Sequence, residues 1–201
     1  MSRPPTVHPV VLMPPWSVVL DLSRPLSEVP DPGTLWTIGR YGEDRGIYTQ
    51  ALFAGRRSVH LGLDLGGPVG TAVHAPVDGV VRYGGYNAQD GDYGNVLVVE
   101  HRWGGAVLWA LYGHLSAASL VQSPVGHRVE RGAVLGWLGE AAENGGWPPH
   151  VHLQLSTTDP GTHDMPGAVA AAELAAARAQ FPDPAAVLGA GVAGPSWEGG
   201  W

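Results

Sequence analysis

The sequence predicts an all-β body followed by a C-terminal α-helix, and three observations predict it. Glycine and proline are abundant, 30 and 18 of 201 residues, which calls for many turns between short elements. Runs rich in β-branched and aromatic residues recur between those turns, such as Val96-Leu97-Val98-Val99 and Ala106-Val107-Leu108-Trp109-Ala110-Leu111-Tyr112. One late stretch, Ala168 to Gln180, is Ala-rich with Glu and Arg and strongly favours helix, with Pro166 and Pro182 as its delimiters.

Taken in order, residues 1–34 form a Pro-rich N-terminal arm. Val10-Val11-Leu12-Met13 and Ser17-Val18-Val19-Leu20-Asp21-Leu22 are short β-like pieces in it. Proline lacks a backbone donor, so such strands belong at a sheet edge or in an extended arm packed on the body. Residues 35–160 are the central domain. It begins with a polar and aromatic cluster, Arg40-Tyr41-Gly42-Glu43-Asp44-Arg45, which is either a surface loop with local ion pairs or one wall of a groove. Asp78-Gly79 lies between two β-rich runs and predicts a hairpin. Trp103-Gly104-Gly105 is a turn, and the strand after it delivers His114 at its end. Residues 161–201 hold the helix and a Gly-rich tail.

Composition excludes several kinds of chemistry. The chain has no cysteine, so thiol nucleophiles, thiolate metal sites and disulfides are absent. It has no lysine, so a pyridoxal phosphate Schiff base, a P-loop, and lipoyl or biotinyl attachment are excluded. A net charge of −7 argues against a nucleic-acid partner, which needs a basic face to neutralise phosphates. No run approaches the roughly 20 apolar residues of a membrane span. Pro9, Pro14 and Pro15 interrupt every candidate signal segment. The expectation is a soluble, cytoplasmic protein that does not contact the membrane.

Three β-like segments each deliver histidine: Ser58-Val59-His60-Leu61-Gly62-Leu63-Asp64, Leu111-Tyr112-Gly113-His114-Leu115-Ser116, and Pro149-His150-Val151-His152-Leu153. Zinc in a catalytic site takes three His or carboxylate ligands and leaves one position open. His60, Asp64 and one histidine of the His150/His152 pair supply such a set. The strand period of two puts His150 and His152 on one face. The spacing of His60 and Asp64 is harder, because four residues of extended strand span roughly 13 Å. The segment must bend, and Gly62 and Gly66 permit it. His8, His101, His127 and His163 read as packed or hydrogen-bonded side chains, with His74 intermediate.

These segments, in this order, resemble the lysostaphin-type zinc peptidases, the M23 family of peptidoglycan endopeptidases. The match runs through residues 58–155. It comprises His60-x-x-x-Asp64, Gly70-Thr71-x-Val73-x-Ala75-Pro76-x-Asp78-Gly79-x-Val81, Tyr93-Gly94-Asn95 with Val98-x-x-His101, Tyr112-Gly113-His114-Leu115-Ser116, and Pro149-His150-x-His152-Leu153. The resemblance implies a mainly antiparallel, two-layered β core with a groove across one sheet. It implies one zinc ion per chain on His60, Asp64 and His152, with His114 and His150 as the catalytic histidines. It implies a peptide or peptidoglycan-derived substrate. Tyr41, Glu43 and Arg45, with Tyr112 and Trp147, are the candidates to line the groove.

The chain departs from the usual pattern in two places. The loop Glu143-Asn144-Gly145-Gly146-Trp147-Pro148-Pro149 replaces a smaller one, and Gln154 stands where the family commonly has Glu. Tyr41-Gly42-Glu43-Asp44-Arg45, His60-Leu61-Gly62-Leu63-Asp64 and Asn144-Gly145-Gly146-Trp147-Pro148-Pro149-His150 together resemble an intracellular branch joined to phosphotransferase-like and aminotransferase domains. Two other readings compete. One is a β-sandwich carrier phosphorylated on His74 or His114, which leaves Asp64 and the His150/His152 pair unexplained. The other is a metal-bearing scaffold without activity.

Overall fold

Apolar residues alternate along the strands, and the alternation builds two cores on opposite faces of one sheet. The computed structural model describes residues 6–28 and 36–189. Among them the strands are β1 (Val18–Val19), β2 (Thr37–Gly39), β3 (Val59–His60), β4 (Leu63–Gly66), β5 (Ala72–His74), β6 (Gly79–Asn87), β7 (Gly94–Trp103), β8 (Ala106–Leu115), β9 (Arg128–Val129), β10 (Val134–Trp137), β11 (His150–Ser156) and β12 (Ala168–Val169). Eight of them form one sheet in the order β1-β2-β4-β11-β8-β7-β6-β9. Its pairings are antiparallel except the edge pair β1/β2, which is parallel. β5 pairs with β10, and β12 with β3, as separate two-stranded units.

The first core lies between the sheet and the β5/β10 pair. Leu63 and Leu65 of β4, Leu97 and Val99 of β7, and Val151, Leu153 and Leu155 of β11 meet Val73, Leu135 and Leu138 there. Val10, Val11 and Met13 of the arm complete it. The second core takes the alternate residues, Val96 and Val98 of β7 with Leu111 of β8, against Val59, Leu61, Met165, Val169 and Phe181. Each buried aliphatic side chain contributes about 1.5–3 kcal/mol. On β4 and β11 the residues between the core leucines and valines are Asp64, His150 and His152. A period of two therefore sends the apolar set to the first core and the polar set to the opposite face.

Three sequence expectations meet the structure differently or in part. Val10–Met13 is not a strand; it packs as irregular chain, with Val10 O accepting from His74 N at 2.8 Å. Asp78-Gly79 does not close a hairpin, because β5 pairs with β10 while β6 pairs with β7 and β9. The turn instead carries the chain from one sheet into the other. The helix does not begin at Ala168, since Ala168 and Val169 pair with His60 and Val59 as β12. A first helix, α1 (Ala117–Gln122), lies inside the β body; the C-terminal helical structure starts with a 3-10 turn, Ala171–Glu173, continues as α2 (Leu174–Gln180), and resumes as α3 (Pro184–Leu188). The Gly-rich tail from residue 190 lies outside the described residues. The turn at Gly104-Gly105 holds as expected, with both residues at positive φ (56° and 93°), the conformation of a tight hairpin between β7 and β8. Among the described residues, no helix is long and apolar enough to cross a membrane.

Candidate metal centre

The site assembles where β3, β4, β8 and β11 meet. The chain leaves β3 at His60, turns through Leu61-Gly62, and enters β4, a strand of the other sheet. That break brings His60 Nε2 to 3.2 Å from Asp64 Oδ1. Asp64 is the cross-strand partner of His152 in the β4/β11 ladder. His152 Nδ1 lies 3.1 Å from Asp64 Oδ1 and 2.9 Å from His60 Nε2. All three residues are buried. A ring cannot sit beside residue 62 unless that residue lacks a side chain, since a Cβ there would stand 2.6 Å from His152 Nε2.

The hydrogen bonds fix which nitrogen faces inward. His60 Nδ1 donates to Arg40 O at 2.8 Å, leaving Nε2 bare. His152 Nε2 donates to Gln154 Oε1 at 3.1 Å, leaving Nδ1 bare. Gln154 is held by Tyr93, whose hydroxyl donates to the same Oε1 at 3.2 Å, and its amide donates to Pro166 O at 3.2 Å. Two bare imidazole nitrogens and a carboxylate oxygen thus converge. Their separations approach the edge of about 3.3 Å that a tetrahedral zinc with bonds of about 2.0–2.1 Å requires. Orienting bonds on the far nitrogens are what ligating histidines commonly have. The donor set fits zinc.

His114 and His150 stand beside this set, with ring centroids 4.2 Å apart. His114 occupies the left-handed region, φ 61°, unusual for a non-glycine residue and a form of strain found at functional sites. Its amide donates to Tyr93 O at 2.7 Å and its Nδ1 to Asn144 O at 2.7 Å. His150 Nδ1 donates to Pro148 O at 2.7 Å, and its Nε2 lies 3.9 Å from Asp64 Oδ1. Both rings therefore carry the proton on Nδ1 and leave Nε2 free to accept another.

Burial sets the protonation states. It lowers His60 to about 3, aided by the charge of Arg45. It holds His114 well below the usual histidine range, with His150 and His152 adding to the effect. It lowers His150 as well, although Asp64 opposes this. Burial works against a charged Asp64, but His60 and Arg45 outweigh it and keep the carboxyl well below its ordinary range. Near neutral pH His60, His114 and His150 are therefore neutral and Asp64 is a carboxylate.

A groove of about 570 Å³ opens over these residues. Arg45, Asp64, His114, His150 and His152 line it, together with the aromatic wall of Tyr48, Phe53 and Trp147. Tyr48 stacks on Phe53 at 4.2 Å and meets Trp147 edge-on at 6.1 Å.

Of the candidate groove residues, Trp147 lies where the sequence suggested. Arg45 borders the groove but is committed to Asp64 Oδ2 at 2.7 Å. Three others do not line it. Tyr41 packs in the second core and donates to Phe181 O at 2.6 Å. Glu43 is buried in an ion pair with Arg40. Tyr112 points the other way, into the first core, where its hydroxyl meets His101 Nε2 at 2.9 Å. It is one residue out of phase with Leu111, which the strand period decides. His74 lies on β5 beside His8, in the small β5/β10 sheet.

The sequence reading gave no role in the site to Tyr93, Gln154, Asn144 or Tyr48. Gln154 was within reach, because it follows His152 by two and shares its face. Asn144 gave no signal; its role depends on a loop conformation.

The model of peptidase family M23 matches residues 58–163, more than half of the chain. A DD-carboxypeptidase/endopeptidase Mpg of Neisseria meningitidis serogroup B is 36% identical over 96 residues, 48% of this chain and 20% of that protein. The match thus spans about a fifth of that relative's length. The catalytic domain of a mutant of the prophage-encoded M23 protein EnpA from Enterococcus faecalis is 25% identical, with a TM-score of 0.47, over 68% of this chain and 93% of that one. The catalytic domain of lysostaphin from Staphylococcus simulans is 22% identical, with a TM-score of 0.47, over 69% of this chain and 91% of that one. The chain belongs to peptidase family M23, the zinc metallopeptidases that its His60/Asp64/His152 site fits.

Proposed function

We propose that the protein is a zinc-dependent endopeptidase that binds one zinc ion per chain on His60, Asp64 and His152 and cleaves amide bonds of peptides or peptidoglycan fragments. The observation that carries this is the convergence of His60 Nε2, Asp64 Oδ1 and His152 Nδ1 within 2.9–3.2 Å, with both far imidazole nitrogens already bonded. A zinc ion held there supplies a Lewis acid that polarises the scissile carbonyl and lowers the pKa of water.

The chain's own groups handle the protons. His114 and His150 each present a bare Nε2, and burial keeps both neutral near pH 7. Either can take the proton of the attacking water and return it to the leaving amine. Once protonated, the ring becomes a donor toward the developing oxyanion. Asn144 O and Pro148 O hold the two rings in that tautomer throughout. The aromatic wall of the groove would receive side chains flanking the scissile bond.

Membership of the M23 peptidases and the likeness to a neisserial DD-carboxypeptidase/endopeptidase support this substrate class. The finer placement, in the intracellular branch fused to other catalytic domains, rests on the resemblance of the Tyr41–Arg45, His60–Asp64 and Asn144–His150 segments.

The test is metal content together with hydrolysis of peptide amides and peptidoglycan fragments. Wild type is expected to carry about one zinc per chain. His60→Ala is expected to lose it. His114→Ala is expected to keep the metal and lose about 10²–10⁴-fold in kcat. Full hydrolysis by both variants would remove the mechanism.

A further inference from the structure

Arg45 is the feature that metal binding and proton transfer leave unused. It is 5% exposed and therefore unsuited to meeting a substrate, although it borders the groove. Its Nη1 donates to Asp64 Oδ2 at 2.7 Å, a charge-assisted bond to the oxygen that faces away from the histidines. The other oxygen, Oδ1, is the one 3.1 and 3.2 Å from the ligand nitrogens. The two oxygens of one carboxylate are thus assigned to two different partners.

The same short segment also fixes His60. Arg40 O accepts from His60 Nδ1 at 2.8 Å, and Glu43 O accepts from His60 N at 3.0 Å. Glu43 links the two halves: its Oε1 accepts from Arg40 at 2.5 Å, and its Oε2 lies 3.4 Å from Arg45 Nε. Arg40 reaches on to Asp21 at 3.5 Å. Charges therefore alternate from Asp64 through Arg45, Glu43 and Arg40 to Asp21. Tyr48 holds the guanidinium from the groove side, with its hydroxyl 2.9 Å from Nη1. Gly39 makes room on the other side, since a Cβ there would stand 2.7 Å from Arg45 Nη2.

Stability alone does not account for the arrangement. Arg45 Nε and Nη2 and Glu43 Oε2 are buried without a hydrogen-bond partner, and a buried ion chain left incomplete is weak support for a fold. Its effect lies at the metal ligands. We propose that the Arg40–Arg45 segment is the outer frame of the metal centre, and that Arg45 is a positioning residue that restricts Asp64 to binding the metal through one oxygen. This rests on the metal-centre reading given above. Because a guanidinium does not lose its proton, the restriction holds at every working pH. With a metal held there, it would keep the coordination number low and a position open for water and substrate.

The test compares wild type, Arg45→Met, Arg45→Lys and the double variant Glu43→Gln/Arg45→Met. Zinc affinity is measured by chelator competition, and the visible absorption of the cobalt(II)-loaded protein is recorded at saturation. In Arg45→Met, zinc affinity is expected to fall about 10–100-fold. The cobalt absorption is expected to weaken and shift as Asp64 becomes bidentate and the coordination number rises. Arg45→Lys retains a cationic donor to Oδ2 and keeps the wild-type spectrum. If Arg45→Met does not fold, the double variant, which strands no unpaired Glu43, is expected to show the same two changes. A wild-type cobalt spectrum in the methionine variant, or in the double variant should the methionine variant not fold, would overturn the proposal even if affinity fell. That outcome would make Arg45 a stabiliser and nothing more. Wild-type protein that binds no metal would instead overturn the metal-centre reading first, and this inference with it.

Discussion

His60 and Asp64 are four residues apart, yet their ligand atoms are 3.2 Å apart. Residue 62 makes this approach compatible with the ring of His152. In Gly62→Ala the new methyl group would lie 2.6 Å from His152 Nε2 and 2.8 Å from Nδ1, so the ring must leave its place. The expected outcome is a folded protein whose zinc affinity drops by at least about tenfold, the scale of a disturbed ligand shell. Isothermal titration with zinc checks it, and unchanged affinity would show that the ring has room to spare. At this scale the sequence was informative about residue type and silent about atoms. It pointed to His60, Asp64 and His152. It could not say that His60 faces the centre through Nε2 and His152 through Nδ1, because Arg40 O and Gln154 Oε1 decide that.

At the scale of elements, β11 does two jobs through its alternation, placing Val151, Leu153 and Leu155 in the core and His150, His152 and Gln154 on the site face. The loop before β11 is the second element that matters. Asn144 is fully buried; its amide donates to Gly139 O and Trp147 O, and its Oδ1 accepts from Trp147 N. Its own carbonyl holds His114. Asn144→Ala is expected to cost about 1–3 kcal/mol of stability for the groups left unpaired. It is expected to reduce kcat on the order of 10²-fold through misplacement of His114 and Trp147. Zinc content should stay at the wild-type level, since the ligands sit on β3, β4 and β11. Loss of zinc in this variant would show that the loop supports the ligands as well. The Asp78-Gly79 turn teaches the opposite lesson at this scale. Its residues suit a hairpin, but the flanking strands find partners elsewhere, β10 for one and β7 for the other.

For the whole molecule, metal and fold are linked. Zinc at about 100 times its dissociation constant stabilises the native state by about 2.7 kcal/mol. At about 2–4 °C per kcal/mol for a chain of this size, chelation is expected to lower Tm by about 5–10 °C. An unchanged Tm after complete removal of zinc would disconnect the site from the fold. Acid acts on the metal-free protein in a definite direction. His60 is lowered to about 3, and His114 and His150 are lowered too, all chiefly by burial. The unfolded chain titrates its histidines near 6.5, so it binds more protons than the native state below that pH. Stability is therefore expected to be flat between about pH 7 and 9 and to fall as pH drops from about 6.5 toward 3. The Tm of chelated protein across this range checks it; a constant Tm down to pH 4 would mean the buried rings find water when protonated.

The sequence alone determined the chemistry and the class of fold. Absence of cysteine and lysine removed whole mechanisms, and the ordered His and Asp motifs carried the family, because those properties reside in residue type and order. Period-two alternation also made legible that His150 and His152 share a face. Tertiary structure decided everything that depends on distance between segments remote in the chain. It decided that Tyr112 faces the core and Trp147 the groove, that Ala168 and Val169 pair as a strand instead of opening a helix, and that Arg45 serves Asp64. The reason is physical. A side chain's partner across a sheet is fixed by register and by where the chain changes sheets, and neither is written in local composition.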